Sequence, residues 1–354
     1  MKKIVALILS VVLVLCLMAG CGSTAKETTS ETPATSNGET VIPQIIKMAH
    51  TGNETTLMHQ SFLKVKEYIE ANSNGALQVE IYPNGQLGAE ADLMQATQSG
   101  DIQIMATNNG YLVTVNPAVE IFSIPFAFPS EEVAYAVLSG DFGKKMLDSM
   151  EETSGMKGLA YYESADFREL TANKPVESAA DLNGLKIRVM PNNIHVKLWE
   201  SLGAAPATIS FGELYTALQQ GTVDAQENPV ELMLTSKFPE VQKYLIRTNH
   251  IFSNGMMVCN PDWFYSLTPE LQEVVVAGAE AGQNYWREVA TENRTNYYKQ
   301  AEEAGMTVIY LDDSVSAEMK ELAQPVVDII AANVGQELVD EFLAAVDAEI
   351  AKQG

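Results

Sequence analysis

Cysteine is nearly absent from this 354-residue chain: there are three, Cys16 and Cys21 near the start and Cys259 alone in the body. A disulfide framework needs more than that, so none is expected. Cys259, in "GMMVCNP", reads as a small buried hydrophobe, because no histidine is spaced to serve it as a base. Histidine is scarce too, with His50, His59, His195 and His250. None forms an i, i+4 pair or stands near a C-x-x-C, and no EF-hand loop, P-loop or G-x-S-x-G occurs. Neither a metal site nor a cofactor is expected, and the chain reads as a protein that is not an enzyme. Basic residues are few, 22 Lys and Arg against 46 Asp and Glu, for a formal charge of −24. That balance repels nucleic acid and anionic lipid and excludes both as partners. After the first twenty residues no apolar run reaches the roughly 18 needed to span a bilayer.

The N-terminus is a targeting signal. Lys2 and Lys3 precede the apolar run "IVALILSVVLVLCLMAG", the n-region and h-region of an export signal. Small residues and Cys21 close the run as "LMAGC", which resembles the lipobox of bacterial lipoproteins, with Met18 where Leu is commoner. In that class the chain is cut before the cysteine, whose thiol takes the lipid. The competing reading is an uncleaved transmembrane anchor. The polar stretch that follows favours the lipoprotein: "GSTAKETTSETPATSNGET" holds almost no large apolar side chains, cannot bury enough surface to fold, and reads as a tether over residues 21–43. Cutting before Cys21 removes two lysines and no acid, leaving 20 basic against 46 acidic residues, a formal charge of −26. About 310 residues then remain, enough for two ordinary domains.

From residue 44 strands and helices alternate, the pattern of an α/β protein. Strands are expected at 45–50, 77–83, 101–107 and 157–162, with helices at 55–71, 88–99 and 131–151. The second half repeats this alternation, with a strand in "GLKIRVM" (184–190), a helix at 193–202, another in "SFGELYTALQQG", then a short strand in "TVDAQ". Ser210 and Glu213 have capping-box spacing, with Gly221 as the stop. Thr268 reads as an N-cap with Pro269 behind it, opening a helical pattern that runs to about 304. Helices at 315–333 and 335–352 end the chain.

In "GLKIRVM", Leu185, Ile187 and Val189 alternate with Lys186, Arg188 and Met190, the period of a half-buried strand. No carboxylate stands beside Arg188 in sequence. Either an acid from elsewhere in the fold answers it (Glu213, Asp224 and Glu227 are the candidates nearest in sequence) or a ligand does. Asn228, in "DAQENP", is either a turn residue before Pro229 or a polar contact at a strand end. Arg168 has Asp166 and Glu169 beside it as local partners.

Four segments taken in order, "YPNGQLG" (82–88), "NGLKIRVM" (183–190), "SLGAAPATISFGELYTALQQGTVDAQENP" (201–229) and "FPEVQKYL" (238–245), closely resemble one family. These are the extracytoplasmic substrate-binding proteins of TRAP transporters, the tripartite ATP-independent periplasmic systems, of the C4-dicarboxylate-binding type. The likeness covers about residues 44 to 350, with Ala225 where Gly is common. It implies a two-domain periplasmic-binding-protein fold of α/β class, with the ligand cleft between the domains, two strand crossings as the hinge, and a long helix spanning both. Carried over, Arg188 pairs with the ligand carboxylate, Arg168 adds a second contact, Asn228 bonds the same region and Phe211 packs on the ligand. From the first domain His50 and the run 107–109, with Asn108 and Asn109, face the cleft; Glu90 and His250 lie in segments that supply contacts in some members. The domains are expected as 44–165 with 254–293, and 166–253 with 294–354.

The resemblance makes the chain a lipid-anchored, extracytoplasmic, monomeric receptor that hands a small carboxylate to the membrane subunits of a TRAP permease. The ligand is expected to be a sugar acid such as a uronate or aldonate, or a C4-dicarboxylate. The first is supported by Glu54 and Asn193, further hydroxyl-binding groups beside those already named, and by the lack of an obvious second unpaired base. Two rivals remain: a solute receptor of an ABC importer or sensor kinase, and a secreted hydrolase.

Overall fold

The computed structural model describes residues 42–353. The export signal, Cys21 and nearly all of the tether lie outside the described residues. Among the described residues no helix is long and apolar enough to cross a membrane.

The first lobe begins with β1 (Gln44–Ala49), which pairs in parallel with β2 (Leu77–Tyr82) and β3 (Ile104–Asn108). Crossovers between parallel strands need a helix, and α1 (Leu57–Asn72) and α2 (Glu90–Ser99) supply them. In α1, Leu57, Phe62, Val65 and Ile69 recur at helical spacing and are buried, while Thr56 accepts a hydrogen bond from the His59 N–H at the N-terminus. A short helix α3 (Asn109–Leu112) follows β3 directly. Next come α4 (Glu131–Ser139) and α5 (Asp141–Ser154), where the sequence suggested one helix. The chain breaks at Gly140, and α5 starts so close to the end of α4 that a Cβ on Gly143 would lie 2.0 Å from the Leu138 carbonyl oxygen. The strand expected to end at 162 continues instead as β4 (Lys157–Ala172).

The second lobe holds β5 (Lys186–Val189), α6 (Asn193–Ser201), β6 (Ala205–Thr208), α7 (Phe211–Gln219), β7 (Ala225–Asn228) and α8 (Val230–Thr235). Its strands β6, β5 and β7 are parallel neighbours, and β7 joins β4 in antiparallel fashion. The capping box expected at α7 does not form in the usual way. The Ser210 hydroxyl donates to Glu213 Oε2 at 2.6 Å and makes no bond to the helix backbone.

Two long strands belong to both lobes. β8 (Tyr244–Cys259) lies antiparallel to β3 and β4 and carries the return crossing. The β4–β8 pairing slips by one residue between Gly158 and Ala160 and is broken more widely in the middle. Residues 163–165 stand opposite Asn254 alone, and Glu169 stands opposite the four residues 247–250. Such bulges bend a strand and add twist. Here they fall where the strands pass from one lobe to the other. Gly255 sits at the crossing because a Cβ there would lie 2.3 Å from the Tyr162 ring and 2.5 Å from the Thr107 carbonyl oxygen.

After α9 (Pro261–Ser266) comes α10 (Pro269–Glu303), 35 residues opened by Thr268 and Pro269 as the sequence indicated. It packs on α1 and β4 at one end and on α8 and the following strand β9 (Thr307–Tyr310) at the other, so it spans both lobes. Ser61 in α1 donates to the carbonyl of Gly282, where the glycine lets the two helices approach. The helix expected at 315–333 is two, α11 (Asp313–Leu322) and α12 (Gln324–Val334), because Pro325 cannot continue the hydrogen-bond ladder. The last helix, α13 (Gln336–Gln353), places Phe342 against Phe122 and Phe142 from the first half of the chain.

Candidate functional site

A cavity of about 450 Å³, partly open to solvent, lies between the lobes where β3, β5 and β7 end and β4 passes. Six residues singled out from the sequence line it: Arg168, Arg188, Asn228, Phe211, Asn108 and Glu90. The lobes touch around it. The Asn192 side chain donates to the Gly110 carbonyl at 2.9 Å, Asn53 donates to the Thr235 carbonyl at 3.0 Å, and the Leu57 N–H donates to Glu231 at 2.9 Å.

The two arginines reach the cavity from different strands and are both 1% exposed. Arg168 on β4 is held by Glu227 on the adjacent β7. Its Nε and Nη2 donate to the two carboxylate oxygens, and Nη2 also donates to the Glu227 carbonyl at 2.7 Å and to Asn228 Oδ1 at 2.9 Å. Its partner is therefore neither Asp166 nor Glu169. The pairing leaves Glu227 well below the usual carboxylate range despite complete burial, because a guanidinium fork answers it directly. His250 completes that carboxylate's shell. Its Nε2 stands 3.1 Å from Glu227, and its Nδ1 2.8 Å from the Thr248 hydroxyl. Burial lowers the pKa of His250, so its neutral form donates through Nε2 and accepts at Nδ1.

Arg188 on β5 has no such partner. Its Nε donates to the Ile209 carbonyl at 2.8 Å, and its buried Nη2 bonds to nothing in the protein. No carboxylate lies within ion-pairing distance of it among the described residues. Glu227, the acid that sequence proximity offered, is engaged by Arg168. Burial lowers the Arg188 pKa, opposed by Tyr111 and Glu227 nearby, but guanidinium stays charged at any ordinary pH. Arg168 and Glu227 answer each other, which leaves the Arg188 guanidinium without a carboxylate of its own; Glu90, the other acid of the cavity wall, is held by Thr51. A guanidinium fork matches an anion of planar, two-oxygen geometry.

Around the arginines the polar groups are fixed. Asn228 accepts from Arg168 and donates to Gln226 Oε1 at 2.6 Å, and Gln226 donates to Thr171 at 2.8 Å. Asn108 caps α3 by accepting from the Gly110 N–H at 2.8 Å and donates to Ser253 at 3.2 Å. Glu90 accepts from the Thr51 hydroxyl at 2.6 Å. Phe211, at the start of α7, closes one side, its ring 6.4 Å from that of Phe238.

Three of the named residues do not line the cavity. His50 is fully buried behind it, its Nε2 3.2 Å from His59 Nδ1 and its ring edge-on to Phe62; burial pushes its pKa down to about 3. Its neighbours Thr51 and Gly52 reach the cavity instead. Asn109 turns into the core and donates to Asn254. His250 supports Glu227 from behind. Glu54 and Asn193 are not among the lining residues either. Sequence reading passed over Tyr111, which lines the cavity beside Arg188 with its phenol pushed up to about 12 by burial. It also passed over Tyr162, Met58, Met190 and Leu232. The aromatic of "NNGYL", directly after a strand end, was the available clue to Tyr111.

The sequence profile of the bacterial extracellular solute-binding proteins, family 7, matches residues 48–333. The chain belongs to this family. Among the relatives of this family-7 protein, the 2,3-diketo-L-gulonate-binding periplasmic protein of Escherichia coli is 30% identical over 305 residues, 86% of this chain and 92% of that one. The C4-dicarboxylate-binding periplasmic protein of Rhodobacter capsulatus is also 30% identical, over 86% of this chain and 91% of its own. Among solved structures, the sugar acid binding protein of Advenella mimigardefordensis, in complex with galactonate, superposes with a TM-score of 0.84. It is 30% identical and covers 87% of this chain and 99% of that one. The two-domain periplasmic-binding fold and the role of extracytoplasmic TRAP solute-binding protein follow from these likenesses.

Proposed function

We propose that Arg188 is the anchor of the ligand carboxylate and that the ligand is a sugar acid rather than a C4-dicarboxylate. The observation that carries this is the buried guanidinium with an unbonded Nη2 on a residue that lines the cavity. Arg168 presents the Asn228 amide and shapes the site, and Phe211 packs on the ligand. Glu90, Thr51, Asn108 and Tyr111 offer polar groups to hydroxyls. No second basic side chain besides the two arginines lines the cavity, and Glu90 opposes a distal carboxylate. The relatives that bind diketogulonate and galactonate support the same choice.

The receptor performs no chemistry and acts as a monomer. It releases its cargo to the membrane subunits of a TRAP permease driven by an ion gradient. Cys21 carries a lipid that keeps the receptor at the membrane surface. The hinge lies at residues 163–165 and 247–250, dividing 44–165 with 254–293 from 166–253 with 294–354. Mass spectrometry of small molecules released by denaturing the purified protein should identify an organic acid with a single carboxylate. A dicarboxylate would overturn the ligand class. Product formed on incubation with that acid would revive the hydrolase, and a neighbouring ABC permease gene would revive the importer. Cys21→Ser should abolish lipid attachment; a variant that fractionates with membranes as the parent does removes the anchor from this scheme.

A further inference from the structure

A second cavity of about 480 Å³ adjoins the first and shares Gly52, Met58 and Leu232 with it as walls. Leu57, Trp286 and Ala290 make its surface largely apolar, and no lysine, arginine or histidine lines it. The Trp286 ring stands edge-on to that of Tyr162, a wall of the first cavity, at 5.7 Å between centroids.

The polar walls of this second cavity are Thr56, Asp166, Glu231 and Tyr297, and of these Asp166 has an oxygen without a partner. One carboxyl oxygen accepts from the Phe167 N–H at 2.8 Å, while Oδ2 is buried without a partner, on a residue only 9% exposed. The pairing with β8 is regular from Asp166 to Arg168. Both side chains therefore leave the same face of β4, about 6.8 Å apart along the strand. One serves each cavity. A second acid, Glu231, lines the same space and accepts from the Leu57 N–H. Arg294, the nearest base on α10, pairs with Glu131 at 3.0 Å and is not part of the wall.

An unpartnered carboxyl oxygen at the far wall of an apolar cavity asks for a donor. We infer that this cavity receives the distal end of the ligand. The ligand is then a monocarboxylate about six carbons long, ending in a hydroxyl or an ammonium group, and a second carboxylate is refused. The inference rests on the reading that Arg188 holds the near carboxylate. The methylene or C–H faces of the chain pack on Met58, Leu232 and Trp286. The terminal group then donates to Asp166 across the walls that the two cavities share.

Titration calorimetry at pH 8.5, where Asp166 is ionised, with hexanoate, 6-hydroxyhexanoate, 6-aminohexanoate and adipate tests this on the purified receptor. One or both donor-ended acids should bind at least tenfold tighter than hexanoate, and adipate at least tenfold weaker than the better of them. Asp166→Asn should relieve the discrimination against adipate. An ammonium end should lose its gain in that variant, while a hydroxyl end should keep part of it, because the Asn carbonyl still accepts; this separates the two donors. Adipate binding wild type as tightly as the donor-ended acids overturns the inference, and so does an unchanged order in Asp166→Asn. If that variant does not fold, the wild-type order alone decides. Loss of hexanoate binding in Arg188→Ala without end-group discrimination in wild type sinks the distal site and leaves the carboxylate reading standing. Equal binding by Arg188→Ala and wild type sinks the carboxylate reading itself.

Discussion

Arg168 and Arg188 project into one cavity from strands two places apart in the sheet and are equally buried. They differ in what answers their charge. Arg168 is gripped by a carboxylate, a backbone carbonyl and an amide, whereas Arg188 meets the neutral Ile209 carbonyl and Tyr111 phenol and leaves Nη2 unbonded. Exposure alone would have assigned them one role. The hydrogen bonds separate a charge the fold has neutralised from one it has left for a guest. An unanswered buried charge costs stability, and a protein keeps it only where something else repays the cost.

The contrast is sharpest in apo stability. Arg168→Ala strands the buried Glu227 and should lower apo stability by about 3–5 kcal/mol, read by urea denaturation. Replacing both partners by Met should recover most of the loss, since a well-packed apolar pair often matches a buried ion pair. An Arg168→Ala protein as stable as wild type would erase the distinction between the arginines.

Arg188→Ala should do the reverse. Its apo melting temperature should hold or rise, while affinity for the carboxylate ligand falls by about two to three and a half orders of magnitude. Lys at 188 should restore little of it, because an ammonium lacks the two-point fork. Collapsed apo melting with near-normal affinity would move Arg188 into the structural class.

Ligand itself should stabilise the wild type by about 2.7 kcal/mol at a hundredfold excess over its dissociation constant. Solution scattering should show a smaller radius of gyration with ligand, as the contacts from Asn53 to Thr235 and from Asn192 to Gly110 form. A radius that does not change on saturation would mean that these contacts persist without ligand.

The smallest effect concerns pH and the bulge between the lobes. Burial pushes Glu169 up to about 8, although it accepts from the Thr248 and Asn249 N–H groups and from Tyr298. Burial likewise raises Asp166 to about 7. A carboxyl raised in the folded state contributes stability in full below its unfolded value near 4.3, and that contribution is lost as pH rises through the folded value. Apo melting temperature should therefore fall between pH 5 and 8.5, and fall less in Glu169→Gln. Equal slopes for the two proteins would show that Glu169 does not carry the dependence.

How legible all this was in sequence depended on the range of the interaction. The alternation in "LQVEIY", the Thr268–Pro269 start and the apolar face of α1 are local, and they appear as read. Helix breaks were misjudged where the cause was partly tertiary: the chain breaks at Gly140 and α5 starts at Asp141, with Gly143 packed against the end of α4. The length of β4 was missed because what carries it past Tyr162 is pairing with β7 and β8, which come from remote parts of the chain. In the site, Arg188 and Asn228 stood out as strand-end polar residues. Whether His50 and His250 face the cavity or stand behind it turns on side-chain direction and neighbours remote in sequence.

The chain by itself determined its class. Its periodicity wrote two α/β lobes and a long helix, and its ordered motifs marked the family, because these depend on neighbours a few residues apart. Only the tertiary structure decided which arginine is free. Glu227 is 39 residues from Arg188 and 59 from Arg168, and sequence distance favoured the wrong pair. Strand order decides instead: β4 lies directly beside β7, with Glu169 opposite Asn228. From there the Arg168 fork reaches both oxygens of Glu227, and Arg188 keeps its charge for the cavity.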